Sequence, residues 1–378
     1  MLLDFLRRRE RGQIVMLSAL TIPIILGMTG MAVDIGAYAS ERRDLQNAAD
    51  AIALAAARDL PDAATADAVA DQWAVKNNID PNDMTVTITG GTTDPKVHVE
   101  VERDHEFSFI RVIGIDSKEV GAVAAAKKFS HGGGTGIVPW SITQATVDWA
   151  EAQGNGAVVT MKYDSNGGQN GNFGAVRIDG NGASDYEDGV KFGSDSVICA
   201  QGVANCTTGA CPGTFPATCA ENAPECDGQE CTPKTGNVIG PTRDATDFRM
   251  NNTSAACDTF VETFAGPDAN GKYALNPQCN PWLDGGAGQC PTPDTSPYAK
   301  CSRRVIVIPV VDGYGNGSSS DVTILRFALV YLQGYDNGKC QGSNCEIKGN
   351  FVRADVNTGG LAGVYDEQSS IHFSKLTE

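Results

Sequence analysis

The chain has 378 residues, of which 20 % are charged, and a formal net charge of −17. An exterior that acidic repels nucleic acid and anionic lipid headgroups, so neither is expected as a partner. The length leaves room for one large or two medium domains besides any anchor.

Arg7, Arg8, Arg9 and Arg11 precede Gly12–Val33, a run of 22 residues without a charge. About 20 apolar residues carry a helix across the hydrocarbon core. Excess Lys and Arg stays on the cytoplasmic side, which predicts residues 1–12 inside, a transmembrane helix over 13–33 and everything from Asp34 outward beyond the cytoplasm. A cleaved secretory signal has a shorter apolar region and a small-residue cleavage site, and this run has neither. A buried core helix leaves the arginines unexplained. A pilin-type leader cut after Gly12 calls for glutamate at the fifth mature position, where this chain has Leu17. The remaining reading is an uncleaved single-pass anchor.

The helix is expected to run on through Asp44–Leu60 (DLQNAADAIALAAARDL), where Leu45, Ala48, Ile52 and Ala56 recur on one face, and to stop at Pro61. Within the span, Gly27 and Gly30 offer a small face for another helix. A second helix is predicted over Ala63–Asn77. Met84, Val86 and Ile88 then alternate with threonines, GGTTDP turns the chain, and Val97, Val99 and Val101 repeat the alternation. That pattern is an antiparallel hairpin with one buried face. A short helix over Phe107–Gly114 and a strand over Glu119–Phe129 complete an α+β module over residues 34–130.

His131–Gly136 (HGGGTG) is read as a flexible linker. It lacks the GK[ST] of a phosphate loop. Residues 137–378 form a β-rich domain, with strands expected at Ala157–Tyr163, Asn172–Ile178, Arg304–Val311, Val322–Leu332 and Ile347–Asp355. All twelve cysteines fall between Cys199 and Cys345. An even number in the part placed outside the cytoplasm predicts disulfides. Cys206/Cys211, Cys226/Cys231 and Cys340/Cys345 share one spacing with a glycine in each loop, and are expected to close locally. The other six are expected to pair among themselves in an unassigned pattern. Zinc is the weaker reading, because no CxxC pair is present.

Chemistry is thin. The four histidines are scattered, and no GxSxG, HExxH or Cys/His pattern occurs, so no enzyme and no cofactor are expected. DGNGASDYED places Asp179, Asn181 and Asp185 close together as weak Ca²⁺ candidates. The pattern departs from an EF-hand at Ala183 and Val190, and a turn leading into a helix capped by Ser184 or Asp185 is the preferred reading.

The segment Arg11–Gly12, the span ending Ala32–Val33–Asp34–Ile35–Gly36, and Leu45–Gln46–Asn47–Ala48–Ala49–Asp50–Ala51 with LAAA at Leu54–Ala57 resemble the N-terminal segment of TadE/TadG-like proteins. That family is associated with assembly of Tad (Flp) pili in bacteria. The family-motif residues are Gly12, Asp34, Leu45, Gln46, Asn47, Ala48 and Asp50. The resemblance covers about the first 60 residues and, more loosely, the module to Phe129. Val138–Trp140, Gly171–Gly174, Gly236–Thr242 and Arg304–Val311 are similar to outer domains of some members. TadG proteins often carry a von Willebrand A-type domain; its DxSxS loop is missing here, so that adhesion chemistry is not carried over. The resemblance implies a non-catalytic membrane component of pilus assembly or secretion in the bacterial cell membrane, with other pilus-assembly membrane proteins as partners and envelope or surface contacts for the outer domain. A surface adhesin unrelated to pili is the alternative.

Overall fold

A computed structural model describes residues 2–154, 156–164, 172–180, 182–201, 203, 230–231, 233–282, 301–314, 322–336 and 338–377. The chain is α+β and divides into two compact units. One comprises Met1–Gly91, Pro95–Lys127 and Lys375–Glu378; the other comprises Thr92–Asp94 and Lys128–Ser374.

The first unit is built on α1, a continuous helix over Leu2–Ala57. From Val15 to Val33 its apolar side chains, Leu17, Leu20, Ile24 and Leu26 among them, are exposed, and the packing of this unit leaves them uncovered. Leu45 begins a different regime. Leu45, Ala48, Ala49, Ile52, Ala53, Ala56 and Ala57 are buried against α2 (Ala63–Lys76), whose Ala66, Ala70 and Ala74 are fully buried. Methyl side chains on both faces let the two helices come close at little loss of side-chain entropy. Asp62 caps α2, its carboxylate accepting from the Ala64 and Thr65 N–H groups at 3.1 and 3.2 Å.

The helices cover a meander of β1 (Met84–Thr89), β2 (Lys96–Glu106) and the first part of β3 (Ser117–Gly134). Met84 pairs Val101 and Thr89 pairs Lys96 across the hairpin; Lys96 pairs Lys127 and Glu106 pairs Ser117 across the next. Because side chains alternate across a strand, this register puts Val97, Val99, Val101, Val120, Ala122, Ala124 and Ala126 into one core. Between β2 and β3 a single 3₁₀ turn spans Ile110–Ile113, shorter than the helix expected over Phe107–Gly114. It ends at Gly114, whose φ of +92° suits glycine.

In the second unit His131–Gly134 is the buried end of β3, where a linker was expected. Gly133 pairs Cys199 and Leu361 pairs Gly133 on the other side. A Cβ on Gly133 would come within 3.0 Å of Cys199 Cα, and one on Gly132 within 2.8 Å of Gly363. The glycines therefore permit neighbouring backbones to approach closely; flexibility is not what they supply here.

The central sheet runs in the order β4 (Ile142–Thr143), β7 (Val305–Val311), β8 (Val322–Tyr335), β9 (Ile347–Val352), β5 (Val158–Lys162), with β6 (Asn172–Val176) in a separate two-stranded pair. Among the described strands of this sheet, β4 and β7 pair in parallel and the other neighbours are antiparallel. β7 is buried on both faces. Val305, Val307 and Val311 face one core with Val322, Ile324, Phe327, Leu329 and Tyr331 of β8. Ile306, Ile308 and Val310 face the other with Ala328, Val330 and Leu332. The second core is closed by α3 (Gln144–Ala152), α4 (Ala183–Phe192) and α5 (Ile239–Asn251), through Val147, Ala150, Tyr186, Val190 and Ala245.

Candidate functional site

The first unit concentrates its unusual polar chemistry at one point of α1. Asp34 follows the apolar stretch directly and is only 3 % exposed. Its Oδ2 accepts from the Phe109 and Ile110 N–H groups, each at 2.7 Å, and its Oδ1 from Ser108 N–H at 3.2 Å. These N–H groups lead into the 3₁₀ turn, Phe109 at its N-cap and Ile110 its first residue, and the N-cap side chain makes no capping bond. The first N–H groups of a helical turn lack internal partners, and a carboxylate meets them with complementary charge. One turn back, Gly30 lies under the Phe109 ring, where a Cβ would come within 2.7 Å of ring carbon. The small face expected from Gly30 is therefore occupied from within the chain, whereas a Cβ on Gly27 would point into open space.

Tyr38 continues the contact. Its ring packs edge-on to His105 (5.6 Å) and tilted against Phe107 (6.2 Å), its hydroxyl donates to Glu119 O, and Lys118 Nζ lies 5.4 Å above it. Glu41 is hydrogen-bonded to His105 Nδ1 and stands 3.9 Å from Arg103. Arg103 also donates to Asn78 O at 2.8 Å. These charges border a groove of about 670 Å³ that Ser40, Asp44 and Asn77 also line; within it Glu41 is engaged by His105 and Arg103.

The remaining motif residues build the fold. Leu45 and Ala48 are buried in the first unit's core. Gln46 donates to Asp50 Oδ1 at 2.8 Å and to Val123 O at 2.9 Å, tying α1 to β3. Asn47 is exposed, and Gly12 lies within α1.

That helix decides the comparison with known proteins. Residues 12–59 match the family of putative Flp pilus-assembly TadE/G-like proteins. The TadE/G-like segment thus coincides with the apolar run of α1 and the alanine face buried on α2. No curated protein and no solved structure matches the chain.

The second unit holds the other candidates. Asp179, at φ +61°, accepts from the Asp195 and Ser196 N–H groups at 2.7 and 3.1 Å. Asp185 accepts from Gly182 N–H at 2.8 Å. Gly182, rather than Ser184 or Asp185, is the N-cap of α4, with Asp185 at the third helical position. Both carboxylates thus serve backbone donors, and Asn181 lies outside the described residues. Among the described residues no group of three or more His, Cys, Asp or Glu is placed to hold a metal ion.

Two cysteine pairs stand as disulfides, Cys257–Cys279 with Cα atoms 5.6 Å apart and Cys340–Cys345 with 4.2 Å. Cys199 and Cys301 are also disulfide-bonded. Cys206, Cys211 and Cys226 lie outside the described residues, as does the side chain of Cys231.

Buried titratable groups sit in this unit as structural members. Lys162 Nζ donates to Asn237 Oδ1 (2.6 Å), Tyr163 O (3.2 Å) and Cys345 O (3.4 Å), and burial lowers its pKa to about 8. Arg249 donates to Arg303 O (2.7 Å) and to Val190 O, and burial brings it down to about 9. Burial likewise pushes His131 and His372 down to about 4. His131 borders a cavity of about 150 Å³, below the roughly 300–1,000 Å³ typical of small-molecule sites.

Sequence reasoning selected Asp34 as a motif residue but missed its partners. The available signal was the density of apolar residues between Phe107 and Ile115, which exceeds what one short core-packed turn needs.

Proposed function

We propose that the protein is a non-catalytic, single-pass membrane component of Tad/Flp-type pilus assembly or secretion, with its disulfide-containing second unit outside the cytoplasm. The observation that carries this is the coincidence of the pilus-assembly match at residues 12–59 with a helix whose apolar side chains are exposed over Val15–Val33. An apolar helix uncovered all round is at home in lipid. The four arginines ahead of it support a cytoplasmic N-terminus by charge asymmetry. Partners on this reading are other pilus-assembly membrane proteins.

Deletion of the gene followed by electron microscopy of the cell surface tests the proposal. Loss of pili that a plasmid copy restores is the expected result. Unchanged piliation with loss of surface attachment would instead mark an adhesin unrelated to pilus assembly.

A further inference from the structure

The 3₁₀ turn and its flanks expose more apolar surface than a connection between two strands requires. Phe109, Val112, Ile113 and Ile115 are 52, 85, 62 and 48 % exposed. Single exposed apolar residues are ordinary, but four within seven positions form a patch. This patch does not stand alone. Phe109 seats on Gly30 and the turn's backbone on Asp34, so it is continuous with exposed Met31, Val33 and Ile35 of α1.

We propose that the loop Phe109–Ile115 inserts into the outer interfacial layer of the bilayer beside α1, so that the first unit holds the membrane at two adjoining points. The proposal rests on the anchor reading above. The helix rise of about 1.5 Å per residue puts Gly30 only about 4.5 Å inward of Val33. Phe109 on Gly30 therefore lies where the hydrocarbon begins, within the roughly 5–10 Å that interfacial segments reach.

Backbone chemistry supports the same placement. Irregular backbone at membrane depth is costly unless its N–H groups are satisfied. Here Phe107 N–H donates to Asp116 O, Ser108, Phe109 and Ile110 donate to Asp34, Val112 donates to Phe109 O and Gly114 to Arg111 O. Asp34 thereby removes three of the donors that would otherwise face lipid. The charged neighbours fit the boundary. Arg111, 3.8 Å from Asp116, is exposed and has an apolar stem that lets its head reach water. Tyr38, half-buried one turn beyond Asp34 and packed on the buried Phe107, supplies an aromatic ring at the level where tyrosines gather at membrane surfaces.

The test uses the full chain in vesicles of phosphatidylcholine and phosphatidylglycerol, with the photoreactive residue p-benzoylphenylalanine replacing Val112, Leu20 or Val75 one at a time. Leu20 lies in the apolar run, and Val75 is an exposed position on α2. After illumination, mass spectrometry is expected to find lipid adducts at Val112 and Leu20 and none at Val75. Adducts at Leu20 but not Val112, or a Val112 adduct to a second copy of the chain, overturn the insertion and leave the anchor standing. Absence of lipid adducts at both Leu20 and Val112 overturns the anchor reading and this inference together. Equal labelling at all three positions would mean indiscriminate contact with lipid and also overturns it.

Discussion

Asp34 offers its two oxygens to three N–H groups that lie 74–76 residues further along the chain. Its replacement by alanine should leave α1 helical, since alanine favours helix, and act on the loop. The expected outcome for Asp34→Ala is loss of hydrogen-exchange protection at the Ser108, Phe109 and Ile110 amides, with the Leu45–Ala57 amides unchanged. Loss of protection along the whole of α1 would contradict this division of labour. The sequence marks Asp34 as the first charge after the apolar run, and the resemblance adds it to a motif. Neither discloses the partner, because a cap from a distant helix leaves no local pattern.

His131 and His372 carry a second residue-scale consequence. His131 Nδ1 lies 2.7 Å from Thr358 Oγ1, and its Nε2 has no hydrogen-bond partner among the described residues. His372 Nε2 is 2.8 Å from Asp366 O. Both imidazoles are held neutral to about pH 4 by burial, whereas an unfolded histidine takes its proton near 6.5. The unfolded chain then binds more protons between about pH 4 and 6.5, so stability falls as pH drops through that window and is level above it. Each shift corresponds to an order of 3 kcal/mol at full protonation. The urea midpoint, read by fluorescence of buried Trp140, should fall between pH 7.5 and 5, with a shallower fall in His131→Gln. A midpoint independent of pH would refute the assignment.

Among the elements, those with a strong period were legible. The meander of the first unit follows from alternating valines and threonines, and its registers keep Val97, Val99 and Val101 inward as the alternation requires. The Arg304–Val311 run was read as a strand, and its unbroken apolar character reflects burial on both faces. Glycine misled where the cause was spatial. His131–Gly134 has a linker's composition, yet Ile198–Cys199 and Leu361–Gly363 pair with its backbone from either side. The alanine helices give the element-scale prediction. Ala70 is fully buried among the small side chains between α1 and α2. Ala70→Leu adds methylenes where no space is left and should cost about 1–3 kcal/mol. Thermal melting of the full chain in detergent checks this, with Val75→Leu on the exposed side of the same helix as a control expected near neutral.

At the scale of the whole chain, composition assigns two kinds of stabilisation to different places. The first unit has no cysteine and relies on close helix–sheet packing. The second contains all twelve, and its disulfides constrain stretches that flank the central sheet. Among the described cysteines, pairing was legible for Cys340–Cys345, where the spacing is short. Cys340 and Cys345 share a glycine-containing loop, while Cys257 and Cys279 are brought together by the turn elements around Ala255–Cys257 and Pro277–Cys279. Their sequence separations of 22 and 5 give unequal expectations. In the chain-entropy account a cross-link restricts the unfolded state more as its loop lengthens, by about 3 kcal/mol for the wider pair and about 2 kcal/mol for the narrower. All four cysteines are at most 2 % exposed, so the cavities left by alanine are comparable and the difference in loop length should dominate. Urea unfolding of Cys257→Ala/Cys279→Ala and Cys340→Ala/Cys345→Ala, each made in an oxidising compartment, should show the larger loss for the first. A larger loss for the second would mean that local geometry near Lys162, which donates to Cys345 O, outweighs loop entropy.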